Sequence, residues 1–116
     1  MALETMHMTA SPGRHAGLTI LTLNGPLNLH TIFDFQNAVR AEQSHALVVD
    51  MTAVPFVDSA GLGAMVGAVV ALKKANRKIA YACMNKKAAA LVEMTHLSQL
   101  LHNHPTVQDA ESAIIS

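Results

Sequence analysis

The sequence predicts an α/β fold, in which strands alternate with helices and parallel strands are joined by crossovers. Three observations support this fold class. Residues Leu18–Leu23 are rich in β-forming side chains and stop at the turn-forming triplet Asn24-Gly25-Pro26. Residues Ala46–Met51 are a mostly apolar run, which is typical of a central strand buried on both faces. From Ser59 to about Ala75, apolar side chains recur at helical spacing.

The first part of the chain contains two further predicted elements. An opening strand is expected within Met1–Ala10, followed by a turn at Ser11-Pro12-Gly13, because proline and glycine are common turn residues. Thr31 is the expected N-cap of a helix that continues to about Glu42. Asp34 lies in the first turn of that helix, where the helix dipole favours a negative charge.

The last part of the chain predicts a strand and two more helices. Asn76 is the expected end of the helix that begins near Ser59, and Lys78–Met84 is read as the next strand. Asn85 is a suitable N-cap for the following helix. Thr106 precedes Asp109 by three residues, a spacing that marks the start of a short final helix.

Length and composition favour one globular domain spanning 1–116. The chain has 116 residues, of which 51% are hydrophobic and 14% are charged, so a buried core is expected. Cys83 is the only cysteine, which fits a reducing, cytoplasmic location. Met1–Ala10 lacks the pattern of a secretory signal, and the longest apolar stretch, Ala60–Leu72, is too short for a membrane span.

The charge balance argues against a nucleic-acid partner. Eight basic residues balance eight acidic ones, and one Tyr, three Phe and no Trp provide little surface for base stacking. The local basic group, which comprises Lys73, Lys74, Arg77 and Lys78, is interpreted as favourable charge near a helix C-terminus. A small and nearly neutral domain of this kind is expected to be a monomer or a weak dimer.

The pair Asp58-Ser59 stands where an extended segment is predicted to become a helix. Free backbone N–H groups at a helix start favour an anion, so a phosphate on Ser59 would be tolerated by its own helix. Helix capping by the pair is the simpler interpretation on residue type alone. Gly61 and Gly63 each cost about 1 kcal/mol relative to alanine within a helix. They therefore suggest close approach of a backbone, from a neighbouring element or from an external protein.

The longer string Phe56-Val57-Asp58-Ser59-Ala60-Gly61-Leu62-Gly63 resembles the signature of the STAS domain, specifically that of the bacterial anti-sigma factor antagonists. The resemblance covers nearly the whole chain. It also includes the segments Leu23–Asn28, Leu47–Asp50, Lys73–Tyr81 and Leu91–Leu97.

The resemblance implies both a fold and a function. The fold would be a mixed β-sheet of four to five strands, with about four helices packed mainly on one side. Ser59 would be the phosphorylated serine. The unphosphorylated protein would bind an anti-sigma factor that has serine kinase activity, and would thereby release the sigma factor. Phosphorylation would end that binding and a phosphatase would restore it. The antagonist itself would catalyse nothing and need no cofactor.

The partner-binding surface is expected at the carboxyl ends of the strands, where ligands of open α/β sheets usually bind. Leu62 and Met65 are interpreted either as part of this surface or as core. The residues expected to form the surface are Asn24, Asn28, Thr31, Asp58, Ser59, Ala60, Gly61, Leu62 and Gly63.

Two positions depart from the family pattern. Many members have an aspartate where this chain has Asn28, so a negative contact with the partner is missing or replaced. Many members have a glycine where this chain has His96, and the turn there is expected to differ because histidine tolerates positive φ less readily. Asn28 is the departure that bears more on phosphorylation.

Alternative functions remain open on the sequence. The domain could be a non-switching scaffold subunit of a larger sensory or lipid-transport assembly. A small serine hydrolase is a further alternative, although Ser59 does not lie in the Gly-x-Ser-x-Gly pattern. A metal site could use His102 and His104 with a third ligand such as His96, but no zinc-type spacing is present.

Overall fold

The computed structural model describes residues 5–115 of the chain, with strands and helices in alternation over most of that length. In chain order, the elements are β1 His7–Pro12, β2 Leu18–Asn24, α1 Ile32–Ala41, β3 Ala46–Ala53, α2 Ser59–Lys74, β4 Lys78–Ala82, α3 Lys86–Met94, β5 Asn103–His104 and α4 Val107–Ile115.

The strands of the described residues form one five-stranded mixed sheet in the order β1-β2-β3-β4-β5. β1 pairs with β2 in the antiparallel sense, and the three remaining pairs are parallel. Each parallel pair is joined by a helical crossover, as parallel pairing requires. The predicted α/β class, the mixed sheet and the helix count are thereby confirmed.

The central strand β3 is buried on both faces, as its apolar run predicted. Leu47, Val49 and Met51 point to one side of the sheet and belong to the larger core cluster. Ala46 and Val48 point to the other side and belong to a smaller cluster. The alternation follows from the pleat of a strand, in which successive side chains face opposite ways.

Three helices cover one face of the sheet and one helix covers the other. Phe35 of α1, Leu62 of α2 and Val92 of α3 pack into the larger cluster. Ala110 and Ile114 of α4 pack into the smaller cluster on the opposite face. The expected arrangement of helices mainly on one side is confirmed, with α4 as the exception.

The opening strand lies later in the chain than predicted. Ser11 and Pro12 belong to β1, where they pair with Ile20 and Thr19, and the turn follows them. Proline is compatible with this position because β1 is an edge strand. Gly17, with a φ of 80°, supplies the left-handed residue of the turn. Of the predicted strand Met1–Ala10, residues 1–4 lie outside the described part of the chain.

Helices α2 and α3 are each followed by a residue that is not glycine but adopts the left-handed conformation. At the end of α2, Asn76 has a φ of 58°, and the Arg77 N–H donates to the Leu72 carbonyl over 2.8 Å. At the end of α3, His96 has a φ of 60°, and the Leu97 N–H donates to the Val92 carbonyl over 3.0 Å. Both are Schellman ends. His96 therefore keeps the turn that a glycine would favour, and the expectation of a different turn was wrong.

The predicted helix starts near the end of the chain are confirmed at atomic detail. Asn85 Oδ1 accepts from the Ala88 N–H over 2.8 Å, and Thr106 Oγ1 accepts from the Asp109 N–H over 3.0 Å. β4 ends at Ala82, two residues before the predicted end, because Cys83 turns the chain with a φ of 63°. No helix within residues 5–115 is long and apolar enough to cross a bilayer.

Candidate functional site

Helix α2 begins at the carboxyl end of β3, with Asp58 as its N-cap and Ser59 as its first residue. Asp58 Oδ1 accepts from the Gly61 N–H over 2.8 Å, which satisfies one of the free donors of the first turn. Ser59 is exposed to solvent. The hydroxyl therefore lies within reach of another protein, and the helix start beside it favours negative charge.

A second loop is held against this helix start. The Leu27 N–H donates to the Phe56 carbonyl over 3.0 Å, and the Asp58 N–H donates to the Leu27 carbonyl over 3.2 Å. Asp58 Oδ2 also accepts from the Leu29 N–H over 3.2 Å. Asp58 thus binds the β2–α1 loop (25–31) with one carboxylate oxygen and its own helix with the other. The two loops form a single surface at the carboxyl ends of β2 and β3.

Gly61 allows the close contact between helix and loop. A Cβ at this position would lie 2.8 Å from the Leu27 carbonyl carbon and closer still to its oxygen. Gly63 is different, because a Cβ there would meet nothing within 4 Å and the residue is exposed. The glycines suggested close approach by a neighbouring element or by an external protein. At Gly61 the neighbouring β2–α1 loop makes that approach, whereas Gly63 leaves open space on the outer face of α2.

Asn28 and Thr31 stabilise the β2–α1 loop from within. Asn28 is 4% exposed and its Oδ1 accepts from the His30 N–H over 2.9 Å. Thr31 is fully buried, and its hydroxyl donates to the Pro26 carbonyl over 2.8 Å and accepts from the Asn28 N–H over 2.9 Å. Thr31 holds the N-cap position of α1, yet its side chain makes no capping hydrogen bond. The expectation that its hydroxyl caps the helix was wrong, because the loop uses that hydroxyl instead.

The nine residues expected at the partner surface lie at the end of β2, in the β2–α1 loop and at the start of α2, and they differ in exposure. Asn24, Ser59 and Gly63 are exposed, and Asp58 and Ala60 are half-buried. The buried members are Asn28, Thr31, Gly61 and Leu62. Leu62 and Met65 lie in the core at 6% and 1% exposure, which decides between the two interpretations that the sequence left open. The buried members shape the surface and do not form it.

Sequence reasoning missed two exposed apolar side chains, one in the β2–α1 loop and one in the first turn of α1. Leu29, on the loop that Asp58 holds, is 63% exposed, and Phe33, in the first turn of α1, is 67% exposed. Phe33 could have been found from the helical pattern, because it falls between the predicted core positions Ile32 and Phe35 and must face outward. Leu29 carried no such signal, since its exposure depends on the loop.

The two histidines in and beside β5, His102 and His104, form a pair. The rings of His102 and His104 contact edge to face, with centroids 4.6 Å apart, as the extended segment predicted. Burial and the neighbouring His102 lower the pKa of His104 below 6.5, while Asp109 opposes this shift. Within residues 5–115, no group of three potential ligands could hold a metal ion.

The comparison with known proteins agrees with this geometry. The STAS domain sequence profile matches residues 10–110, which is most of the chain. The chain belongs to the STAS domain family. The resemblance found in Phe56–Gly63 is therefore confirmed at the level of the family.

Three similar proteins carry related names. An anti-sigma-B factor antagonist from Staphylococcus epidermidis is 24% identical over 100 residues, covering 84% of this chain and 93% of the relative. An anti-sigma F factor antagonist from Paenibacillus polymyxa is 24% identical, covering 83% and 86% of the two chains. The crystal structure of an anti-sigma factor antagonist from Mycobacterium paratuberculosis superposes with a TM-score of 0.83 at 22% identity. That superposition covers 96% of this STAS domain and 95% of the other chain.

Proposed function

We propose that this STAS domain is an anti-sigma factor antagonist that switches partners through phosphorylation of Ser59. In its unphosphorylated form it binds an anti-sigma factor with serine kinase activity, and the sigma factor is released. Phosphorylation of Ser59 by that partner ends the binding, and a phosphatase restores it. The single observation that carries the proposal is the exposed hydroxyl of Ser59 at the start of α2. The names of the two curated relatives support the choice of partner.

The helix start explains how a phosphate could be accommodated. The N–H groups of Ser59 and Ala60 have no acceptor within α2, because the first turn of a helix lacks preceding carbonyls. They favour a nearby anion, and the helix dipole adds about 0.3–1 kcal/mol for an exposed charge. A phosphoserine would carry a charge of about −1.5 to −2 at neutral pH. Phosphorylation would therefore leave the fold intact and change only the surface.

The surroundings of Ser59 explain why the same phosphate would expel a partner. Leu29 and Phe33 offer an apolar contact area, and Gly63 leaves room for a close approach to α2. A partner packed over this patch would have to remove water from a dianion placed within it. Asp58 increases the local negative charge further. A loss of about 3 kcal/mol would weaken binding roughly a hundredfold.

The decisive experiment uses the cognate anti-sigma factor with ATP. After incubation, intact mass measurement should show one added phosphate on the wild-type protein and none on Ser59→Ala. The phosphorylated form should no longer co-elute with the anti-sigma factor on gel filtration. Modification at another residue, or a complex that survives modification of Ser59, would reject the proposal. We place this activity in the cytoplasm and assign no catalytic step or cofactor to the chain itself.

A non-switching scaffold is the second candidate, and Asn28 is the feature that favours it. The family resemblance implies an aspartate there in many switching members, and this chain presents a buried amide instead. The same experiment separates the two functions, because a scaffold would bind its partner while Ser59 stays unmodified. For a serine hydrolase we find no support, since no histidine within residues 5–115 is hydrogen-bonded to Ser59.

A further inference from the structure

The sheet has an open edge at β4, at the end of the molecule remote from Ser59. β5 has only two residues and pairs with Tyr81 and Ala82 alone. The first residues of β4, Lys78 to Ala80, therefore have no strand beside them on this edge within the described chain. Ser59 and Lys73 stand at opposite ends of α2, about 21 Å apart along the helix axis. This edge is thus a separate surface.

The backbone of Ile79 faces this open edge. The Lys78 N–H donates to the His45 carbonyl, toward β3, and the Cys83 N–H donates to the His104 carbonyl, toward β5. Backbone groups alternate in direction along a strand, so those of Ile79 point the same way as those of Cys83. They are available to the backbone of an added strand, and pairing of this kind is a common mode of peptide recognition.

A cavity of about 390 Å³ lies over the same edge. Its walls come from α2 on one face of the sheet, through Val69 and Lys73, and from α4 on the other face, through Ile114. Ile79 and His104 lie between them. We call this cavity, together with the unpaired edge of β4, the β4 edge groove. Because α2 and α4 cover opposite faces of the sheet at this edge, the groove has room for one extended segment and excludes a second sheet.

The charge of the groove is positive. Lys73, Arg77 and Lys78 line it, and its lining contains no carboxylate. Arg77 uses Nε and one Nη to donate to the carbonyls of Ser44 and Glu42, and these bonds leave its charge unneutralised. The one ion pair of the described residues, Arg14–Glu111, lies elsewhere. An incoming anionic side chain would meet three cations that form no ion pair with a carboxylate of residues 5–115.

We propose that the β4 edge groove binds an extended acidic peptide segment of another protein, which adds to the sheet beside Ile79. The apolar walls would take alternate side chains of the segment, and its carboxylates would lie near Lys73 and Lys78. A second copy of this chain fits poorly, because it would bring a second set of the same cations to the groove, and a charged edge residue opposes self-pairing. Single-stranded nucleic acid fits poorly too, because the lining has no Phe, Tyr or Trp on which bases could stack.

The test uses the whole chain without any anti-sigma factor, so its outcome is independent of Ser59. The probe is a fluorescent hexapeptide of alternating aspartate and valine, blocked at both ends, and binding is followed by anisotropy. A matched probe carries N-methyl groups at every residue, which removes the backbone donors and keeps the charges. Saturable binding of the first probe, at least about tenfold tighter than the second, is expected, together with slowed amide exchange at Ile79.

Two double variants with the same change in net charge test whether the peptide binds in the β4 edge groove. Lys73→Glu with Lys78→Glu should weaken the first probe by about tenfold or more. Lys86→Glu with Lys87→Glu makes the same change in net charge at the start of α3, and should leave the affinity within about twofold. If the Lys73→Glu, Lys78→Glu variant does not fold, Lys73→Gln with Lys78→Gln replaces it, because this pair removes the two positive charges without reversing them.

Four outcomes would overturn the proposal. They are equal binding of the two probes, equal losses in the two Lys-to-Glu double variants, tighter binding of an oligothymidine than of the peptide, and no binding at about 1 mM peptide.

Discussion

Gly61 lies so close to Leu27 that the first turn of α2 and the β2–α1 loop share one rigid contact. The Leu27 carbonyl accepts from the Asp58 N–H, and the space beside it admits no side chain at position 61. The loop is thereby fixed relative to Ser59. Any partner that recognises both must find them in this one arrangement.

We expect alanine at positions 61 and 63 to have opposite effects on stability. In Gly61→Ala the new methyl group would press on the backbone of Leu27, and overpacking of this kind costs about 1–3 kcal/mol. In Gly63→Ala the methyl group would meet nothing within 4 Å, and the higher helix propensity of alanine should add about 1 kcal/mol. Urea unfolding of both variants checks this. A Gly61→Ala variant as stable as the wild type would contradict the close contact with Leu27.

Variants of Asp58 should lose stability in proportion to the number of side-chain hydrogen-bond acceptors that they remove. Asp58→Ala removes the cap of Gly61 and the contact with Leu29, so we expect a loss of about 0.5–2 kcal/mol or slightly more. Asp58→Asn keeps one carbonyl oxygen and should fall between alanine and wild type. Chemical denaturation gives the order. An asparagine variant as unstable as the alanine variant would show that the cap contributes little.

Phe33 should matter for binding and not for folding. Phe33→Ala removes an exposed ring, so the free energy of unfolding should change by about 0.5 kcal/mol or less. Affinity for the anti-sigma factor should fall by about fivefold or more if the ring anchors the partner. Met94→Ala is the control, because Met94, at 76% exposure, is also an exposed apolar side chain and lies at the end of α3. Calorimetric titration of both variants gives the comparison, and equal affinities would remove Phe33 from the interface.

Ser59 variants test the charge step of the switch. Ser59→Ala should bind the anti-sigma factor as the wild type does and resist the kinase. Ser59→Asp should bind more weakly, but by less than the roughly hundredfold expected of a phosphate, because a carboxylate carries a single charge. Both should stay folded, since the side chain is exposed. If both variants bound the partner equally well, negative charge at this position would not control binding.

The sequence predicted the features that depend on neighbouring residues in the chain, namely the burial of β3 and the starts of α3 and α4. The apolar run of β3 indicated burial on both faces, and Asn85 and Thr106 marked helix starts that the hydrogen bonds confirm. The two-residue strand β5 left no recognisable signal because it is too short to alternate. The periodicity of α4 showed an apolar stripe but could not show which face of the sheet that stripe would cover.

The sequence indicated where α2 begins, but not the contacts that hold the β2–α1 loop against that helix start. The string around Asp58 and Ser59 indicated a helix start, and the structure places it there with Ser59 exposed. The bond from Leu29 to Asp58 joins residues 29 positions apart, so no local pattern could reveal it. Thr31 shows the same limit, since its hydroxyl had two possible uses and the choice depends on where Pro26 lies.

His104 should make stability depend on pH in one direction. Its pKa in the folded protein lies below 6.5, because burial and His102 disfavour the charged ring. The unfolded chain therefore takes up the proton first as the pH falls. The contribution of His104 is fully present above pH 6.5 and is lost as the pH falls from there toward the lowered folded pKa. NMR titration of the His104 ring protons and urea unfolding between about pH 5 and pH 7.5 measure both quantities.

Three variants separate the causes of that shift. His102→Gln should move the pKa of His104 back toward 6.5, because it removes a neighbouring like charge. Asp109→Asn should move it further down, because it removes the carboxylate that favours the charged ring. His104→Gln should flatten the dependence of stability on pH over the same range. Shifts of equal sign in the first two variants would mean that these neighbours do not act on His104 through their charges.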